Sequence, residues 1–145
     1  MILAGDIGGT KTNLALYDWT TERVEPLRLE SFSSADYTSL EDILVEFLTP
    51  PRASSSLASP STENEKDSDT RDQRLSGSVK LSAACFGIAG PVIDNHCETT
   101  NLPWVVDGPT IAARFAIPRV QLLNDLEATA YGILSLRSDE LEVLN

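Results

Sequence analysis

Two short stretches carry the residue types best suited to chemistry: Gly5-Asp6-Ile7-Gly8-Gly9-Thr10-Lys11-Thr12 and Leu122-Leu123-Asn124-Asp125-Leu126. In the first, Gly8 and Gly9 remove side chains that would hold a phosphate away from the backbone, while Asp6 and Thr10 add a Mg²⁺-type oxygen ligand and a hydroxyl. In the second, an amide and a carboxylate stand side by side at the junction of an apolar run and a helical pattern. A carboxylate in that place can accept a proton from a substrate hydroxyl. Each stretch also has a plainer account. Gly8-Gly9 would serve as the turn of a β-hairpin, where positive φ is tolerated, and Asn and Asp are both favoured helix N-caps. One cap position needs only one of the pair, which leaves the other to point into the cleft above a sheet. A P-loop is excluded, because its second glycine would fall on Thr10 and the residues after Lys11 alternate as a strand, Leu14 and Leu16 inward, Asn13 and Ala15 outward. The loop therefore joins strand to strand. His96 has no second ligand at a helical or strand spacing and reads as an exposed turn residue, not a metal ligand.

The elements that must position these residues follow from periodicity. Strand-like runs cover Ile2 to Ile7, Thr12 to Asp18 and Val24 to Ser33, the last two separated by the polar turn Trp19-Thr20-Thr21-Glu22-Arg23. Leu40, Ile43, Leu44, Phe47 and Leu48 then form one apolar helical face, opened by the capping-box pattern Thr38-Ser39-Leu40-Glu41 and closed by Pro50-Pro51. Residues 50–78 are rich in Ser, Pro and charge and nearly devoid of large apolar side chains, which predicts a disordered surface insertion in a single domain. The strand pattern resumes at Val79 to Phe86 and runs into Gly87-Ile88-Ala89-Gly90-Pro91-Val92. Short runs about an Asp94-Asn95 turn lead to Thr99-Thr100-Asn101-Leu102-Pro103-Trp104. A short helix over Pro109 to Phe115, a strand over Arg119 to Leu123 and a helix from Leu126 to about Leu136 complete the chain. Leu126, Ala130, Ile133 and Leu134 share one face of that last helix.

At 145 residues the chain is long enough for one domain with a real core. No apolar run approaches the length of a membrane span and no signal arrangement opens the sequence, so a soluble, cytoplasmic protein is expected. Cys85 and Cys97 lie in different local settings and are expected to stay reduced. A formal charge of −11 argues against nucleic acid, which is bound by clustered Lys and Arg. It does not exclude a nucleotide, held by a local backbone cradle and a cation.

The order of motifs is more specific than any one of them. DIGGTKT between two strands, then GIAGPV, TTNLPW and LLNDLEATA at a strand-to-helix junction, resembles the N-terminal half of bacterial glucokinases, in the sugar-kinase, Hsp70 and actin superfamily. The similarity covers the chain outside 50–78. The resemblance implies an α/β fold of the ribonuclease H-like, actin-like ATPase type, a mixed sheet with flanking helices, and ATP-dependent phosphorylation of the glucose 6-hydroxyl in glycolysis. It implies that Gly5, Asp6, Ile7, Gly8, Gly9 and Thr10 lie on the ATP side. Gly8, Gly9 and Thr10 match the first phosphate loop, and Asp6 acts near Mg²⁺ through water; Lys11 is variable there. It further implies that Asn101 and Asn124 contact the sugar, that Asp125 is both sugar contact and catalytic base, and that Gly90 and Pro91 shape the cleft. Residues 1–145 would then be the N-terminal lobe and the start of the second lobe, a fragment or a truncated product, inactive alone. The expected partners are glucose and ATP, with neither nucleic acid nor membrane, and a homodimer is admitted. The alternative is a sugar-binding regulatory module of the same fold; members that carry a helix-turn-helix would have a basic segment ahead of Met1.

Overall fold

A computed structural model describes residues 1–18, 20, 25–49, 80–134 and 136. The insertion expected at 50–78 and most of the turn expected over 19–23 lie outside the described residues. A five-stranded sheet dominates, in the order β3-β2-β1-β4-β7. Its strands are β1 (Ile2–Ile7), β2 (Lys11–Tyr17), β3 (Pro26–Ser33), β4 (Ala83–Ile88) and β7 (Val120–Asn124). The first three form an antiparallel meander, while β4 and β7 run parallel to β1. A separate hairpin pairs β5 (His96–Glu98) with β6 (Val105–Asp107), and the helices are α1 (Leu40–Leu48), α2 (Gly108–Phe115) and α3 (Asp125–Ile133). This is the mixed α/β arrangement expected, with its boundaries adjusted. β4 starts at Ala83 rather than Val79 because its partner β1 begins at Ile2, the residue opposite Ala83. α3 ends at Ile133, short of Leu136.

One face of the sheet carries the core. Leu3 lies between Leu16 and Ala84, Ile7 between Thr12 and Ile88, and Phe86 beside Leu122, so buried side chains meet in rows across four strands. Gly5 sits among them inside β1, where a Cβ would lie 2.6 Å from the Phe86 ring and 2.9 Å from Leu14. Ala15, expected to face outward, is buried as well, because β2 is an interior strand paired on both edges. Leu40, Ile43, Leu44 and Phe47 of α1 are fully buried, as the periodicity predicts, and Leu48 is half-buried. Each such side chain stabilises by about 1.5–3 kcal/mol. Phe47 meets Phe32 edge to face at 6.2 Å, and the Arg28 guanidinium lies over its ring at 4.7 Å while donating to the Phe47 carbonyl at 2.7 Å. The cap of α1 is shifted by one residue from the predicted box. Ser39 is the N-cap and accepts from the Asp42 amide, while Thr38 donates to the Asp42 carboxylate at 2.6 Å and, as the main cause, holds that carboxyl below its ordinary value.

The Asp94-Asn95 turn is present, both residues at positive φ, with Ile93 and His96 exchanging backbone hydrogen bonds at 2.9 Å across it. His96 opens β5 with its Nδ1 3.4 Å from Asp107 Oδ2. Asn95 reaches further. Its Nδ2 donates to Val120 O at 2.9 Å and its Oδ1 accepts from Leu122 N at 2.7 Å, both on the outer edge of β7. The two cysteines are free, and burial raises both thiols above their ordinary value, with Glu127 adding at Cys85 and Glu98 at Cys97.

Candidate functional site

Because β1, β4 and β7 are parallel and in register, Ile7, Ile88 and Asn124 share one row, and the segments following them emerge at the same edge of the sheet. That carboxyl edge is where open α/β sheets hold ligands. Gly8 to Thr10, Ala89-Gly90 and Asn124-Asp125 all stand there. A bond from Ala89 N to Ile7 O at 3.1 Å ties the first two segments, and Asn124 Nδ2 donates to Gly90 O at 2.8 Å to tie the last two.

The glycine loop is tight. Gly8 N donates to Lys11 O at 2.9 Å, and no glycine among the described residues has positive φ. The expectation that Gly8 and Gly9 exploit left-handed backbone freedom is therefore corrected: room, not φ, requires them. A Cβ on Gly8 would lie 3.0 Å from Lys11 O and one on Gly9 would lie 2.7 Å from the Asn101 Cβ. The amide of Gly8 is also spent within the turn, so the loop donors left without a partner among the described residues are Gly9 N and Thr10 N. Ser34, in the turn after β3, fixes this geometry from below. Its Oγ donates to Gly8 O at 2.8 Å and its N donates to Thr10 O at 3.0 Å. Since the Ser34 hydroxyl hydrogen is so engaged, the buried Thr12 hydroxyl donates to Ser34 Oγ at 3.0 Å. Nothing in the periodicity marks Ser34; only its complete burial as a polar residue does.

Asp6 lies on the other face of the sheet, opposite Gly87 and Asn13. A Cβ on Gly87 would lie 3.0 Å from Ala128, so that face is the one α3 covers. Asp6 is exposed; Asn13 Nδ2 donates to its Oδ2 at 3.3 Å, Ser31 Oγ donates to Asn13 Oδ1 at 2.8 Å, and Oδ1 of Asp6 makes no hydrogen bond among the described residues. One accessible carboxylate is enough protein ligation for Mg²⁺ when the rest of its shell is water and phosphate oxygen, so Asp6 fits that ion.

At the β7–α3 junction both members of the Asn-Asp pair face the amide of Leu126. Asn124 is the N-cap, its Oδ1 accepting from Leu126 N at 3.0 Å. Asp125 is the first helical residue, half-buried, with Oδ1 2.9 Å from the same amide and Oδ2 without a hydrogen-bond partner among the described residues. Asn101 is exposed in the loop between β5 and β6, which Thr99 holds by donating to Leu102 O at 2.8 Å and Trp104 O at 3.1 Å. Thr100 Oγ1 is 3.8 Å from where a Gly90 Cβ would be, so this loop closes the ring Gly9, Asn101, Gly90, Asn124. Ile7 is buried under the loop and Gly5 lies two residues deeper, so neither offers a side chain to a ligand. A depression of about 580 Å³ lies at the opposite edge, against Ile2, Ala83 and Val120, the first residues of the same three strands. It touches none of the candidate residues, and its shape alone carries no chemistry.

Comparison with known proteins bears on the same segments. The glucokinase family model matches residues 3–145. A glucokinase of Synechocystis sp. is 38% identical over 147 residues, covering 98% of this chain and 36% of the relative. One of Nostoc punctiforme is 33% identical over 145 residues, covering 99% and 35%. The crystal structure of a glucokinase from an Antarctic psychrotroph aligns with a TM-score of 0.66 at 24% identity, over 95% of this chain and 36% of that one, a likeness of fold. The chain thus spans about a third of the length of the curated relatives it matches.

Proposed function

This chain belongs to the glucokinase family, and from that premise we propose that it supplies the N-terminal lobe and the start of the second lobe of a sugar kinase that transfers phosphate from ATP to the 6-hydroxyl of glucose. The observation that carries the reading is the ring of Gly9, Asn101, Gly90 and Asn124, with Asp125 next to it, at the carboxyl edge of β1, β4 and β7. Gly9 N and Thr10 N point their donors at phosphate oxygens, since the Gly8 amide is spent on Lys11 O. Mg²⁺ near Asp6 would supply charge neutralisation to those phosphates. Asn13, oriented by Ser31, holds the Asp6 carboxylate in place. Asn101 and Asn124 orient the sugar, although Asn124 already gives one donor to Gly90 and one acceptor to Leu126. Asp125 fixes its Oδ1 on the helix amide and presents Oδ2 to the 6-hydroxyl, whose proton it accepts as that oxygen bonds to the γ-phosphorus of ATP and the bond to the β,γ-bridging oxygen breaks, releasing ADP. Positioning and charge do most of this work. The reading makes the protein a cytoplasmic enzyme of glycolysis with glucose and ATP as partners, free of nucleic acid and membrane and compatible with a homodimer.

The test is a fusion in which residues 1–145 replace the matching segment of the Synechocystis relative, assayed for glucose 6-phosphate by a coupled dehydrogenase. Glucose-dependent ATP consumption is the expected outcome, with none from the 145-residue chain alone. A folded fusion that binds glucose without turning over ATP would favour the sugar-binding regulatory module instead.

A further inference from the structure

The glycine at position 9 answers to a neighbour other than phosphate. Its missing Cβ would fall 2.7 Å from the Asn101 Cβ and 3.5 Å from both the amide carbon and nitrogen of that side chain. A separation of 2.7 Å is well inside carbon–carbon contact, which is optimal near 3.5–4.0 Å, so one of the two loops would have to move. Neither moves easily. Thr99 ties its own loop twice, and Trp104 at the end of that loop is 2% exposed with its indole donating to Tyr37 O at 3.2 Å. On the other side, Ser34 holds Gly8 O and Thr10 O, the residues flanking Gly9.

We propose that Asn101 is a positioning residue for the glycine loop: its Cβ seats against Gly9 and sets where the Gly9 and Thr10 amides point, so that nucleotide affinity depends on a residue of the sugar side. The inference deepens the proposed function and rests on it. It gives Asn101 two separable parts, a stem that braces the loop and an exposed amide left for a sugar hydroxyl. It also makes the need for glycine at position 9 a packing requirement, which a change at Asn101 can lift.

Gly9→Ala, Asn101→Gly and the double variant, made in the fusion described above, separate these parts. Gly9→Ala should raise KM for ATP by about ten- to hundredfold, the cost of misplacing binding groups by around 1 Å. In the double variant the obstructing Cβ is gone, so KM for ATP should return to that of Asn101→Gly alone, while KM for glucose stays raised because the amide has been removed. Melting curves run on the same preparations keep misfolding apart from misplacement. If Gly9→Ala alone does not fold, the expected rescue is recovery of both fold and ATP affinity in the double variant. A double variant that stays as poor for ATP as Gly9→Ala, or a Gly9→Ala with unchanged KM for ATP, overturns this inference and leaves the proposed function standing. An unmutated fusion that folds but consumes no ATP with glucose overturns both.

Discussion

Helices α1 and α3 have nine residues each and both carry an apolar face, yet the molecule uses them in opposite ways. α1 gives Leu40, Ile43, Leu44 and Phe47 entirely to the core and is capped by Ser39. α3 has no buried residue, and Leu126, Ile133 and Leu134 are exposed, Leu134 by 83%. What holds α3 is its first turn: the Asn124 cap, the Asn124 bond to Gly90, and Ala128 against the bare backbone of Gly87. A helix anchored by its end presents that end rigidly, and the end of α3 is Asp125. The contrast separates a helix that builds the core from one that presents the proposed base.

Three changes would break or sharpen that contrast. The largest is Phe47→Ala, expected to cost about 3–5 kcal/mol, a large share of the stability of a small domain; a denaturant titration of the 145-residue chain measures it, and a loss under about 1 kcal/mol would mean α1 is not the core helix described. Next is Asp125→Asn in the fusion, which should lower kcat by about 10²- to 10⁴-fold, or roughly 3–5 kcal/mol of barrier, with the melting temperature little changed. Asp125 follows the cap, so losing its charge in the first turn costs only about 0.3–1 kcal/mol, and a variant with intact kcat would leave the pair a purely structural role. The smallest is Leu134→Ser, expected to shift the stability of the 145-residue chain by no more than about 0.5 kcal/mol, as befits an exposed site. A loss comparable to that of Phe47→Ala would show that the exposed face of α3 has a partner within this chain.

The sequence marked these regions unequally. β1, and the buried face of α1, follow from alternation and 3.6-residue spacing, because local period alone decides which side of an element is apolar. The same rule found the apolar residues of α3 but could not say whether anything covers them, since cover is supplied by residues distant in the chain. At the site, Gly8, Gly9, Asn124 and Asp125 were visible as residue types. Their working geometry was not. Ser34 beneath the glycine loop, Ser31 behind Asn13, and Asn101 against Gly9 are single short side chains joined across 26, 18 and 92 positions, and no periodicity records such pairs. The capping box was misplaced by one residue for a related reason: Thr38 and Ser39 are both cap-formers, and only backbone dihedrals separate them.

Asn95 has a consequence for how copies of this protein behave beside one another. Among the described residues β7 is an outermost strand of the sheet, and an outermost strand offers a row of amides and carbonyls to any extended segment that drifts alongside. The two hydrogen bonds from Asn95 occupy Val120 O and Leu122 N, two successive outward groups of that row. The side chain therefore acts as a one-residue substitute for a sixth strand, short enough to stop the sheet without extending it. Asn95→Ala would reopen the row, and static light scattering should then register more concentration-dependent growth than for the unmutated chain.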